Sequence, residues 1–264
     1  MNMKKLSNKF IIIVPLYNVK NLVIECLDSI FEQDFVDLGV IIRDDMSNDG
    51  TSEIIRNYFN QTTYEFEITY KGKNVIYIKN REKLYPVGNT YESVIEYVEN
   101  KQSIIGVVDG DDFLTKKDAV SKIVQIYENQ NVWMVWSQHE KTDGKYGESK
   151  PLPRNEIIYN SRQYWSVTHF RTSLAFLFFK ISKVDLMDPF VFGSYCTFAG
   201  DAALLFPFCE MCGNEKSFFL NEVLYHYRNN LPNNEHNKNI QNAMKYGNYI
   251  RNNSTRYKQI SNYE

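Results

Sequence analysis

The sequence predicts an α/β fold built on a single Rossmann-like, mostly parallel sheet. Through the first half of the chain, short apolar runs alternate with segments whose apolar residues recur at helical spacing. This alternation is typical of strand–helix–strand units. The chain has 264 residues, of which 43% are hydrophobic and 15% aromatic. That is enough to bury a large core, and it excludes a disordered protein.

The first half contains five apolar runs that predict strands. They span residues 10–14, 40–42, 75–78, 104–108 and 132–136. Apolar residues at helical spacing predict the helices between them, over residues 22–31, from 51 onward, over 87–98 and from 115 onward. Strands and helices in this order predict a parallel sheet with helices on both faces.

The character of the sequence changes near residue 139. Residues 139–156 are rich in Lys, Gly, Glu and Pro and predict a long loop. Beyond it we expect a strand over 174–179, a helix over 200–212 and two short strands over 218–220 and 223–227.

Asparagine is concentrated at the end of the chain, with eleven Asn among the last thirty-six residues. This composition predicts a frayed or surface-lying tail. We therefore expect a single domain over residues 1–264. Its first half covers about 10–138, its second half about 139–230, and a polar C-terminal tail 231–264.

Charge and cysteine content limit the class of protein. Thirty basic residues against thirty-two acidic ones give a net charge of −2, which argues against nucleic acid as a partner. Four scattered cysteines do not form a disulfide framework. The N-terminus has no signal-peptide pattern, and no apolar run approaches the ~20 residues of a transmembrane helix. We expect a cytoplasmic protein without a transmembrane segment.

Carboxylates are clustered after two of the predicted strands. Asp44, Asp45 and Asp49 follow the second strand, and the Asp109-Gly110-Asp111-Asp112 segment follows the fourth. Ligands of open α/β sheets bind beyond the carboxyl ends of the strands. A divalent cation, which prefers oxygen ligands and commonly also holds a diphosphate, would neutralise the crowded charge. The alternative is that these residues are turn and cap residues.

Three segments in this order resemble the signatures of family 2 glycosyltransferases. They are IIIVPLYN at 11–18, DDMSNDGT at 44–51 and VVDGDD at 107–112. The resemblance covers roughly residues 10–230. It implies the glycosyltransferase A fold and inverting transfer of a sugar from a nucleotide-sugar donor, with UDP favoured, to a hydroxyl acceptor on a glycan, lipid or protein. It also implies Mn²⁺ or Mg²⁺ as cofactor.

The same resemblance assigns donor-binding residues. They are Pro15, Tyr17, Asn18, Asp44, Asp45, Gly88, Asp109, Gly110 and Asp111. Tyr17 would pack on uracil, and Asp44 or Asp45 would accept hydrogen bonds from the base or ribose. Asp109 and Asp111 match the Asp-x-Asp motif that holds the ribose and the metal. The Arg-Asn pair usual in the family is missing at residues 91–94.

Asp201 is the candidate catalytic base. It lies where the family has Glu-Asp at the start of a helix, although Gly200 replaces the Glu. Inverting transfer needs a base that takes the proton of the acceptor hydroxyl. The alternative role for Asp201 is a helix N-cap, which does not exclude catalysis.

Histidines complete the metal site in some relatives. His236 lies in a polar loop and is a candidate metal ligand, with a plain surface residue as the alternative. For His226, on a predicted strand, a structural role is favoured. Arg171 and Trp165 are candidates for sugar or phosphate contacts, with ordinary packing as the alternative. Cys209 and Cys212 lie in an apolar helix with no second pair, which favours buried cysteines over zinc ligands.

Two other functions remain open from the sequence. A sugar-phosphate nucleotidyltransferase would carry a Gly-rich, basic phosphate loop after the first strand, where this chain has Pro15-Leu-Tyr-Asn18. A non-catalytic nucleotide- or carbohydrate-binding relative would explain the departures at Glu92–Val94 and Gly200.

Overall fold

We describe a computed structural model that covers residues 3–152, 162, 166–231 and 239–262. Its strands are β1 Phe10–Leu16, β2 Leu38–Asp44, β3 Glu65–Tyr70, β4 Lys73–Lys79, β5 Ile104–Val107, β6 Phe113–Leu114, β7 Met134–Lys141, β8 Arg171–Leu174 and β9 Ser217–Tyr227. Its helices are α1 Val23–Phe31, α2 Thr51–Tyr58, α3 Tyr85–Tyr97, α4 Ala119–Gln130, α5 Phe176–Lys180, α6 Gly200–Cys212 and α7 Ile240–Asn253. None of these helices is long and apolar enough to cross a membrane.

The described strands form one sheet in the order β3-β4-β2-β1-β5-β8-β7-β9-β6. Strands β4, β2, β1 and β5 are mutually parallel, so their carboxyl ends meet at one edge. Strand β8 runs antiparallel to both β5 and β7, and β3 and β6 are antiparallel to their neighbours. The α/β prediction is confirmed, but the sheet is mixed rather than mostly parallel.

Alternation along the buried strand β1 divides the core between the two faces of the sheet. Ile11 and Ile13 belong to the core under α3, α5 and α6, whereas Phe10, Ile12 and Val14 belong to the core under α1, α2 and α4. Each strand side chain points to the face opposite its neighbour's, and both faces are covered by helices. This explains why β1 is a continuous apolar run.

The structure corrects two element predictions in the second half. The apolar run at 174–179 is not a strand, since β8 ends at Leu174 and helix α5 begins at Phe176. A short apolar run does not distinguish a buried strand from a buried helix. The two strands predicted over 218–227 are a single strand, β9, whose pairing with β7 shifts register near Gln138.

Part of the end of the chain, predicted as a frayed or surface-lying tail, is a helix on the surface rather than a frayed segment. Residues 240–253 form helix α7, which buries Tyr246 and Ile250 one turn apart. Arg162, which is almost fully buried, donates to the Ile250 carbonyl at 2.9 Å and forms a bidentate ion pair with Glu210 of α6 at 2.7 and 2.9 Å. Two buried side chains and one ion pair therefore fix a segment whose average composition is polar.

Candidate active site

A cleft of about 1430 Å³ opens at the carboxyl edge of the parallel strands. One side is formed by the segments that follow β1, β2 and β5, and the other by the start of β8, the start of α6 and one face of α7. The candidate residues that line it are Pro15, Tyr17, Asn18, Asp45, Asp109, Gly110, Asp111 and Asp201. The structure therefore brings together most of the residues that the sequence singled out.

Tyr17 presents an exposed ring to the cleft, directly after β1. The neighbouring Asn18 adopts a positive φ of 54° and is tied to the segment after β2. Its backbone N–H donates to Ser47 Oγ at 2.9 Å, and its side-chain oxygen accepts from the Asn48 N–H at 2.9 Å. Lys83 Nζ lies 2.9 Å from the centroid of the Tyr17 ring. The ring thus stands at the cleft surface with a cation on one face.

Asp44 and Asp45 are adjacent but have different environments. Asp44 is completely buried and does not line the cleft. Its carboxylate accepts hydrogen bonds from the Ser47 N–H at 2.8 Å, from the Tyr77 hydroxyl at 3.2 Å and from the Ser52 hydroxyl. These three donors tie the end of β2 to α2 and β4, which is a structural role.

Asp45 faces the cleft and holds the segment that leads into α3. Its carboxylate accepts from the backbone N–H groups of Leu84 at 2.8 Å and Tyr85 at 3.0 Å, and from Asn80 Nδ2 at 2.9 Å. Lys83 Nζ lies 3.3 Å from the same carboxylate. Of the two carboxylates, both buried, Asp45 is therefore the one that borders the cleft.

Two candidate glycines are required by close packing. A Cβ on Gly110 would lie 2.4 Å from the Cβ of Leu16, so the Asp109–Asp111 segment passes directly against the end of β1. A Cβ on Gly88 would lie 2.5 Å from the ring of Tyr195. Gly88 is inside α3 and packs against the second half of the chain, rather than lying in a loop over the cleft.

The carboxylates of the acidic segment after β5 influence one another's pKa values. Burial, together with the neighbouring Asp109, raises the pKa of Asp111 to about 6. Burial and the carboxylates of Asp111 and Asp109 raise the pKa of Asp112 well above its ordinary value. Asp112 is buried and accepts from the Tyr225 hydroxyl at 2.9 Å and the Arg228 N–H at 2.8 Å. Crowded carboxylates of this kind favour a bound cation.

His169 lies beside this acidic cluster. It is two residues before β8, in the second half of the chain. Its ring stacks on Tyr225 and Tyr227 with centroids 4.6 and 5.2 Å away. Its buried Nδ1 has no hydrogen-bond partner among the described residues and lies 3.9 Å from Asp109 Oδ2. Burial, with Arg171 nearby, lowers the pKa of His169 well below its ordinary value, so the imidazole is neutral near pH 7. A neutral ring nitrogen without a partner is suited to bind a metal.

One oxygen or nitrogen each from Asp109, Asp112 and His169 lies within 4.8 Å of the others. Two carboxylates and a neutral imidazole are ligands that Mn²⁺ accepts. The residues present therefore fit a divalent cation. The grouping differs from the predicted set of Asp109, Asp111 and His236, and His236 lies outside the described residues.

Arg171 connects the acidic segment to the candidate base. Its Nη2 lies 3.5 Å from Asp109 Oδ2, and its Nη1 lies 3.7 Å from Asp201 Oδ2. Asp201 is in the first turn of α6 with its side chain 42% exposed, and Ala199 rather than Asp201 occupies the N-cap position. The start of β8 and the start of α6 thus place one guanidinium between two carboxylates at the floor of the cleft.

The remaining candidates have varied positions. His226 stacks on Phe113 and has ring nitrogens 3.1 Å from Glu140 Oε1 and 3.3 Å from Thr142 Oγ1, as a structural residue would. Trp165 lies outside the described residues. Cys209 and Cys212 are buried free cysteines in α6, as predicted.

Sequence reasoning missed Lys83 and Asn89, both of which line the cleft. Asn89 follows Gly88 on the cleft side of α3, one turn after Tyr85 and Pro86, which also line the cleft. That helical spacing was a signal available in the sequence. In contrast, Glu92, at the position of the missing Arg-Asn pair, bonds to Lys183 and Tyr195 in the second half of the chain.

The fold is that of the glycosyltransferase A class. Residues 11–185 match the family described as glycosyl transferase family 2, and the chain belongs to this family. Glycosyltransferase GlyG of Streptococcus pneumoniae serotype 4 is 24% identical over 236 residues, which cover 84% of this chain and 71% of GlyG. Glycosyltransferase GlyA of the same organism is 36% identical over 52 residues, which cover 20% of this chain and 8% of GlyA.

Solved structures show the same fold at low sequence identity. S. aureus TarS superposes with a TM-score of 0.59 at 19% identity, covering 83% of this chain and 36% of the TarS chain. The TarS 1-349 fragment in complex with UDP-GlcNAc gives 0.58 at 18% identity, covering 84% and 59%. The mannosyltransferase PcManGT from Pyrobaculum calidifontis, in complex with GDP-Man and Mn²⁺, gives 0.58 at 16% identity, covering 94% and 66%. The chain thus spans little more than a third of TarS.

Proposed function

We propose that this chain is an inverting, metal-dependent glycosyltransferase that moves a sugar from a nucleotide-sugar, with UDP-sugar favoured, to a hydroxyl acceptor. One observation carries the proposal: Arg171 lies between Asp109 of the Asp-x-Asp segment and Asp201, the candidate base. A donor site and a base site therefore share the floor of one cleft. Similar folds have been solved with UDP-GlcNAc and with GDP-Man and Mn²⁺, which supports a nucleotide-sugar as donor.

The donor half of the cleft offers groups of the chemistry that a nucleotide needs. The Tyr17 ring supplies a flat apolar surface for a base, and the Asp45 carboxylate supplies an acceptor for base or ribose donors. Lys83 Nζ, beside both groups, supplies positive charge near a bound nucleotide. Asn89 adds a polar side chain on the same wall.

The metal would be held by carboxylates of the Asp109–Asp112 segment together with His169. When bound, a divalent cation offsets the charge that develops on the departing diphosphate. Burial and the neighbouring carboxylates raise the pKa of Asp111 and Asp112, and a bound cation would favour their charged form. His236 remains a predicted ligand.

Asp201 would take the proton of the acceptor hydroxyl while that oxygen attacks the anomeric carbon. Its side chain is exposed to the cleft, so an acceptor can reach it. Arg171 positions the carboxylate by its contact with Oδ2, while Oδ1 accepts from the Ala202 N–H at 2.8 Å. These two contacts fix the direction in which the base faces.

Asp201→Asn tests the proposal because it removes the basic oxygen and preserves the shape of the side chain. We expect the rate of sugar transfer to fall roughly 10²–10⁴-fold, the usual range for loss of a general base. Donor affinity, measured by calorimetry with Mn²⁺, should change little. Asp143→Asn, on an exposed turn, is the matched control. Retained turnover in Asp201→Asn would exclude Asp201 as the base.

The released product distinguishes a glycosyltransferase from the two other functions that the sequence leaves open, a nucleotidyltransferase and a non-catalytic relative. A nucleotidyltransferase releases pyrophosphate, whereas a glycosyltransferase releases a nucleoside diphosphate. A non-catalytic relative binds nucleotide and Mn²⁺ but releases neither product against a broad acceptor panel.

A further inference from the structure

An exposed apolar tip projects beside the acceptor side of the cleft. Phe190, Val191 and Phe192 follow one another at the end of the loop formed by residues 188–197, and Phe192 is fully exposed. We name these three residues the apolar tip. Three consecutive exposed apolar side chains are unusual on a soluble surface and mark an interaction site.

The loop is built to hold the tip in place. Asp188 is buried, and its carboxylate accepts from the N–H groups of Phe190 and Val191 at 2.8 and 2.9 Å and from the Thr197 N–H at 3.1 Å. The Asp188 N–H donates to the Ser194 carbonyl at 2.8 Å. The exposed side chains are therefore displayed by a closed, hydrogen-bonded loop.

Helix α7 extends the apolar tip into a larger face. Phe190 packs edge-to-face against Tyr246 and Tyr249 of α7, with centroids 4.9 and 5.3 Å away. Met244, which lines the cleft, is exposed on this helix, and Ile240 is exposed one turn earlier. The apolar tip, Ile240 and Met244 together form what we call the rim face.

The charge beside the rim face is positive. Lys245 Nζ lies 3.8 Å from the centroid of the Phe190 ring. Residues 239–250 contain Lys245 and no Asp or Glu, and residues 189–199 carry no charged side chain. Arg256, further along the chain, is paired with Glu210 instead. Apolar side chains flanked by cations are the combination that binds an anionic bilayer surface.

We propose that the rim face docks on the surface of an anionic lipid bilayer, with the apolar tip inserted among the headgroups. The apolar tip is exposed, and a Cβ at the adjoining Gly193 would meet nothing within 4 Å. A bilayer interface accepts a projecting aromatic side chain without a complementary pocket. Docking in this way holds the acceptor side of the cleft, at Met244 and Thr197, next to the membrane.

Flotation with lipid vesicles tests this inference independently of glycosyl transfer. The full chain is mixed with vesicles of phosphatidylcholine alone or of phosphatidylcholine with phosphatidylglycerol. We expect binding to the anionic vesicles that weakens at high ionic strength, because the cations act through screened charge. The double variant V191S/F192S should lower the partition coefficient about tenfold or more, since it removes the inserted apolar area.

Two single variants, Val36→Ser and Lys245→Gln, serve as controls for the vesicle assay. Val36→Ser removes a valine just before β2 that is more exposed than Val191, 80% against 49%, and it should bind vesicles as the wild type does. Lys245→Gln should weaken binding to anionic vesicles only. Absence of binding by the wild type, or equal binding by V191S/F192S, would overturn the proposal. A concentration-dependent dimer that V191S/F192S abolishes would instead assign the rim face to a second copy of the chain.

Discussion

At the scale of single residues, the adjacent carboxylates of Asp44 and Asp45 have different roles. Asp44 points into the protein and satisfies three donors, whereas Asp45 faces the cleft. The sequence predicted a site at this position but left the two residues as alternatives. Side chains alternate along extended backbone, so one of the pair had to face inward. Which one did so depends on the register of β2 against β1 and β4.

Asp44→Ala should therefore reduce stability rather than catalysis. The change leaves the donors of Ser47, Ser52 and Tyr77 without their acceptor, and we expect a loss of about 3 kcal/mol in the free energy of unfolding. Urea denaturation measures this loss. Asp49→Ala, at a partly exposed turn nearby, is the comparison and should cost less. Unchanged stability in Asp44→Ala would contradict the structural role.

The metal cluster shows how far single residues can be predicted. Asp109 follows β5 directly, so its place at the sheet edge was readable from the sequence. His169 lies sixty residues further along the chain. It reaches Asp109 because β8 inserts between β5 and β7, a pairing of residues more than thirty positions apart. No local pattern encodes that pairing.

At the scale of elements, the sequence predicts long apolar segments correctly and short apolar runs less well. The predicted bounds of α6 agree with the structure at both ends, because the mainly apolar segment 200–212 stops at Gly213. The five-residue helix α5 was taken for a strand, and the two-residue strand β6 was missed. The sequence does not predict helix α7, because its three buried residues lie in an Asn-rich background. Tertiary packing decided these elements.

The loop of residues 188–197 depends on one carboxylate, which gives a pH prediction. Burial raises the pKa of Asp188, but hydrogen bonds from Thr197, Phe190 and Tyr246 outweigh it and hold this pKa below its ordinary 3.8. A lowered pKa in the folded state means that Asp188 stabilises the fold above pH 3.8 and that this stability is lost as the pH falls through the lowered pKa.

Asp188→Asn should consequently be less stable than the wild type by about 1–3 kcal/mol at pH 7, and the difference should shrink below about pH 4. Urea denaturation at a series of pH values measures both. Asp185→Asn, whose partners are the exposed Thr255 and the half-buried Tyr257, serves as the neighbouring control. A difference that stays constant down to low pH would contradict the role given to the Asp188 charge.

At the scale of the whole molecule, the near-neutral charge conceals local imbalance. The net charge of −2 combines acidic strand ends at the cleft with a C-terminal segment, residues 239–262, that holds four basic residues and no acidic one. The family match ends at residue 185, before Asp201 and before the rim face.

The most direct test of the account is a screen of nucleotide-sugars with and without Mn²⁺, read out as melting temperature and nucleoside diphosphate release. The carboxylates of the acidic cluster repel one another, and a bound cation offsets this repulsion. Metal and donor together should therefore stabilise the fold by mass action. We predict that a nucleotide-sugar, with UDP-sugars first, raises the melting temperature only when Mn²⁺ is present and releases its nucleoside diphosphate. The account would be contradicted if no nucleotide-sugar changed the melting temperature in the presence of Mn²⁺, or if pyrophosphate were released.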